Sequence, residues 1–144
     1  MGFRLTIEGQ NETISLGMDN ITRASYKSDT VDSSNARSTD LGLELRVKGK
    51  IITAVDGEAD DTQKIAQWST VSAEKADAYR NVILETIAGD QVVRKFTLPN
   101  AFVVDYEESF GYDEGAGEFE LFLKQKKDKN EFITIEGGYE NESN

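Results

Sequence analysis

The groups in this chain that could do chemistry are carboxylates. They stand as adjacent pairs at Asp60 and Asp61, Glu107 and Glu108, and Asp113 and Glu114. Two carboxyl groups carry out general acid and base work when they are held across a substrate in different environments, usually in an apolar cleft. These three pairs fall in turns, at a helix start or on strand ends, so solvated surface is the expected reading. Two stretches, DGEADD at 56–61 and YDEGAGE at 112–118, combine glycine with hard oxygen donors, yet neither has the ligand spacing of an EF-hand calcium loop. The glycines of 111–117 join two strands with no lysine or helix N-terminus behind them, which separates them from a phosphate-binding loop. With no His and no Cys in the chain, imidazole, thiolate and the common zinc chemistry have no residues to use. The expectation is a protein without enzymatic activity, cofactor or metal.

A basic cluster, Lys124, Lys126, Lys127 and Lys129, interrupts an acidic C-terminal third. It reads either as lysines guarding a strand edge against unwanted pairing or as a contact with the acids of DYEESF at 105–110 or DGEADD at 56–61 on a neighbouring copy. Trp68 reads as core or as part of such a contact. With Tyr106 and Tyr112 it would form the aromatic platform of a rival reading, a monomeric ligand- or carbohydrate-binding β-sandwich.

The elements that position these residues are mostly strands. Phe3, Leu5 and Ile7 alternate with Arg4 and Thr6, the period of a half-buried strand. Residues 14–16 and 21–27 read as shorter strands, and Leu41, Leu43, Leu45 and Val47 alternate with Gly42, Glu44, Arg46 and Lys48 as the clearest strand of all. Between them, residues 28–40 (SDTVDSSNARSTD) hold only two apolar side chains, Val31 and Ala36, and read as a long exposed loop, either a plain connector or a contact arm. Asp60 followed by Gln63 signals a helix start, with Ile65 and Trp68 on one face. A second helical turn is expected from Ser72. Residues 79–98 read as a hairpin turning through Ala88, Gly89 and Asp90, and Pro99 as the break before the next strand. Strands at 101–110, 118–126 and 131–137 complete a chain that ends in a polar tail, 138–144.

About eight strands and one short helix argue for a mainly antiparallel β-barrel or sandwich, one domain over residues 1–144, with the helix against one opening or flank. The net charge of −11 is uneven, because residues 101–144 carry 12 acidic and 4 basic side chains. Such a field repels duplex DNA and anionic bilayers, although an acidic lining would let a polyanion slide past without sticking. No apolar run approaches the roughly 20 residues of a membrane span, and the first residues lack the apolar core of a signal peptide. Synthesis in the cytoplasm, with no membrane anchor and no sequence-specific nucleic-acid binding, is the simplest expectation.

The layout of the long polar loop, the mid-chain helix around DTQKIAQW, and the late strands LPNAFVVDYEESFG and GEFELFLKQKKD resembles the tail-tube superfamily: tube proteins of contractile phages and bacteriocins and the haemolysin-coregulated protein of type VI secretion. The resemblance implies a barrel-like subunit that assembles with copies of itself into rings, usually hexameric, with strands lining a lumen and loops joining stacked rings into a tube. Sheath and baseplate proteins would be further partners, and the assembled particle a phage tail, virion or injection device. By this analogy Asp29, Thr30, Val31, Asp32, Ser33, Ser34, Asn35, Ala36, Arg37 and Ser38 would contact the next ring. Phe122, Lys124, Lys126 and Lys127 would join neighbours within a ring.

Overall fold

The computed structural model describes residues 1–30, 41–51, 61–112 and 115–137. Strand β1 (Gly2–Glu8) turns into β2 (Thr13–Leu16), followed by β3 (Ile21–Thr30) and β4 (Leu41–Ile51). Helix α1 (Asp61–Trp68) and a 3-10 turn (Ala76–Ala78) lead to β5 (Arg80–Ala88), β6 (Gln91–Ser109) and β7 (Gly117–Gln125). A second 3-10 turn (Lys127–Phe132) precedes β8 (Thr134–Gly137). All eight strands belong to one hydrogen-bonded antiparallel sheet in the order β2-β1-β5-β6-β7-β4-β3, with β8 paired to β6. A two-sheet sandwich is therefore replaced by a single sheet that curls, bringing β1 beside β3.

The period-two patterns supply the core. Leu5 and Ile7 of β1 lie opposite Leu16 and Ile14 of β2, and all four are buried. Leu45 and Val47 of β4 lie opposite Leu123 and Leu121 of β7, again buried. These residues join Val82, Leu84, Leu98 and Phe119 in one apolar cluster. Across it, Tyr26 of β3 stacks on Phe96 of β6 with ring centroids 4.3 Å apart, so the far margin of the sheet folds over its middle. Helix α1 closes one flank through Ile65 and Trp68. The indole N–H of Trp68 donates to the Ala78 carbonyl at 3.1 Å, so burying the ring leaves no unpaired donor.

Four local expectations change. The hairpin turn is confined to Gly89 and Asp90, both left-handed (φ 57° and 65°), the two-residue turn whose twist matches the flanking strands. Pro99 does not end a strand, since β6 runs through it for 19 residues. The chain there changes partners, pairing with β5 up to Ala101 and with β7 from Ala101 onward, so the missing proline N–H falls at the switch. Neighbouring Asn100 is held instead by the Gln125 side chain at 3.2 Å and the Lys126 amide at 2.9 Å. The helical turn expected from Ser72 forms at Ala76–Ala78, and Glu131 and Phe132 lie in the second 3-10 turn rather than in a strand.

Candidate assembly surface

An antiparallel sheet leaves unpaired N–H and C=O groups wherever a strand lacks a neighbour, and those margins either need cover or invite a partner. The β2 margin is covered, because α1 packs beside it and the Asp61 carboxylate accepts the Ser15 amide at 2.9 Å. Asp61 also holds Lys64 at 3.3 Å. The first half of β6 lies between β5 and β8. Besides the outer side of the four-residue β8, two margins have neither a strand partner nor that helix beside them among the described residues: the side of β3 away from β4, and the side of β6 away from β7 over residues 102–109. They bound a four-stranded face in the order β3, β4, β7, β6.

The outer surface of that face is built from cross-strand rows. One row reads Arg23, Lys48, Glu120, Glu107, and the next Ser25, Arg46, Phe122, Asp105. A third begins Lys27, Glu44, Lys124, Phe102. The two inner strands are stitched by Lys48–Glu120 at 2.7 Å, by Lys124–Glu44 at 3.8 Å and by the Arg46 guanidinium 3.8 Å above the Phe122 ring. A shallow groove of ≈ 730 Å³ runs over Arg23, Arg46, Asp105 and Phe122. The face is not uniformly acidic, as a lining inferred from net charge would be. Basic side chains gather on β3 and β4, and acidic ones on β7 and the second half of β6.

The residues singled out in the sequence scatter. Asp29 and Thr30 are strand residues opposite Gly42 and Leu41, because β3 extends three positions into the expected loop. Val31, Asp32, Ser33, Ser34, Asn35, Ala36, Arg37 and Ser38 lie outside the described residues. Phe122 and Lys124 are on the outer face, but β7 has a neighbour on each side, so Lys124 guards no edge. Lys126 and Lys127 leave that face altogether. The Lys126 ammonium is 3.8 Å from Asp128 and 5.2 Å from the Tyr79 ring, and Lys127 opens the second 3-10 turn. Sequence reasoning missed Arg23, and it set Asp105 and Glu107, as acids of DYEESF, against the lysines of 124–129; the face that the three share appears only once the strand register is known.

Neither rival reading finds its site among the described residues. Glu107 faces outward opposite Glu120, whereas Glu108 is on the other side of the strand and accepts the Tyr106 hydroxyl at 2.6 Å, so this acid pair diverges. Asp60, Asp113 and Glu114 lie outside the described residues, which leaves the other two pairs incomplete. Among the described residues, no three acidic side chains converge as metal ligands. The aromatic platform does not form either. Trp68 is buried, Tyr106 stacks on Phe119 and Tyr112 is fully exposed on its own. The phenol of Tyr26 titrates above its ordinary value because burial penalises the phenolate.

No family model matches this chain, and no curated protein matches it by sequence. Solved structures do. A chain of the six-fold symmetrised anti-feeding prophage baseplate is 14% identical with a TM-score of 0.56, over 94% of this chain and 93% of that one. Hcp1 from Flavobacterium johnsoniae is 14% identical at 0.54, over 94% and 96%. A chain from the tail of an empty GTA particle with C6 symmetry is 12% identical at 0.52, over 95% and 96%. At this identity the likeness is one of fold, and it spans nearly the whole of each chain. The fold expected from the sequence, a mainly antiparallel β-structure with a short helix at its flank, is the fold observed.

Proposed function

We propose that this protein is a structural subunit of a tube made of stacked rings, in a contractile injection or phage-tail-like machine, and that it conducts cargo passively. One observation carries the reading: the four-stranded face ends in two edges that have no strand partner among the described residues. Four is an even number, so β3 and β6 run in opposite directions. When copies turn about an axis roughly along the strands, the β6 edge of one meets the β3 edge of the next as an antiparallel pair. Each junction is the same, the contact is head to tail, and rotation closes it into a ring. Hydrogen bonds that a lone copy leaves to water are then made between copies. Sixfold closure is the proposed number, since solved structures of similar fold come from particles with that symmetry. The segment 31–38, at the end of β3, is proposed to touch the ring above or below, with sheath and baseplate proteins outside.

The test is negative-stain electron microscopy and native mass spectrometry of the purified protein across a concentration series. Rings of one size, stacking as concentration rises, are expected. Deleting 31–38 should leave single rings and remove stacks. A monomer at every concentration would refute the proposal.

A further inference from the structure

Arg23, Lys48, Glu120 and Glu107 form one row across the face, with signs plus, plus, minus, minus. Like charges thus lie directly opposite each other twice within a single copy, an arrangement that destabilises a sheet. The middle of the row is satisfied by the Lys48–Glu120 ion pair. The ends are not. Among the described residues Arg23, Asp105 and Glu107 make no ion pair, and all three are exposed.

We infer that Arg23 on the β3 edge and Asp105 with Glu107 on the β6 edge form an electrostatic key between successive copies of this chain, which selects head-to-tail joining. The inference rests on the tube reading and adds to it the residues that set the polarity of the junction. When copies are joined in that way, the row continues plus, plus, minus, minus into the next copy, and Arg23 meets an acid. Asp105 and Glu107 are two positions apart on the same side of the strand, so a register offset of one residue pair still presents a carboxylate. The competing arrangements are two β3 edges or two β6 edges back to back, and each sets like charges against each other. The edges therefore attract one another and repel themselves, so that symmetric dimers, which would use up an edge without closing a ring, are disfavoured.

Two charge variants test this at low and high salt. Arg23→Glu makes both edges acidic, and the double variant D105R/E107R makes both basic. Each change falls on exposed side chains, and far-UV circular dichroism with a thermal melt checks that both variants fold. Each variant alone is expected to need on the order of tenfold more protein for half assembly. An equimolar mixture should restore rings of alternating subunits, and the triple variant should restore them by itself. Raising sodium chloride from about 0.05 M to 1 M should weaken wild-type assembly, because exposed charges are then screened beyond about 3 Å. Wild-type rings together with undiminished rings of Arg23→Glu would overturn the key and leave the tube reading standing. Wild-type rings with no rescue by either the mixture or the triple variant would also overturn it. Absence of rings from the wild type itself would instead sink the tube reading beneath it.

Discussion

Replacing Arg80 with Ala should destabilise the fold by about 2–4 kcal/mol without touching the assembly edges. The guanidinium is 3% exposed. It donates to the Asp77 carboxylate at 2.6 Å, to Glu12 at 3.1 Å and to the Asp77 carbonyl at 3.1 Å, and lies 5.1 Å from the Trp68 ring centroid. Asp77 in turn accepts the Gln10 amide at 3.2 Å, so this one cation ties the β1–β2 turn to the approach of β5 and to the end of α1. Breaking a buried ion pair costs about 3–5 kcal/mol. Here the figure is lowered because Asp77 and Glu12 remain roughly a third exposed and can be rehydrated when the guanidinium is gone. For a domain of this size the loss corresponds to a fall in Tm of roughly 5–15 °C. The assay is urea unfolding followed by the fluorescence of Trp68, the single tryptophan, which is next to the altered residue. Acid sharpens the test. The hydrogen bond from Arg80 is the main reason that the Asp77 carboxyl titrates below its usual range. A carboxylate with a lowered folded-state pKa contributes stability above its unfolded value, near pH 4, and loses it as pH falls through the folded value. The gap between wild type and Arg80→Ala should therefore be full at pH 7 and narrow below about pH 4. A loss under about 1 kcal/mol, or a gap that stays constant down to about pH 2.5, would refute this account of Arg80.

Gly49→Ala should lower stability by about 1–3 kcal/mol in chemical denaturation, since a methyl there would run into the Asn20 carbonyl and the Phe119 ring. A neutral result would mean that β4 and the turn before β3 are less tightly apposed than described. Trp68→Phe keeps most of the apolar volume but leaves the Ala78 carbonyl without its donor, and should cost about 1–3 kcal/mol in the same assay, read by circular dichroism.

Strands β1, β4 and β7 were legible because each carries its own alternation, which shows in any window of a few residues. The β5–β6 turn was legible for the same reason: Gly89 adopts positive φ readily, and the hydrophobic runs on either side end where it begins. Pro99 misled because a missing N–H ends a strand only where that N–H is needed, and the exchange of β5 for β7 beside it cannot be seen in the residues themselves. Lys124 misled likewise, since a lysine guards an edge only if its strand is at one.

The amino-acid order alone determined the class of structure here: many one-sided strands, a short helix around DTQKIAQW, and no side chains suited to imidazole or thiolate chemistry. These follow from periodicity and residue type, which are local properties. Tertiary structure decided which strands are neighbours and in what register. That choice leaves one side of β3 and one side of the second half of β6 without a strand partner among the described residues, and sets Arg23 in line with Glu107 though 84 positions separate them. Pairing energies between strands depend on contacts between residues distant along the chain, so the margins of the sheet, and with them the surface proposed to build the tube, exist only after the whole sheet has closed around its core.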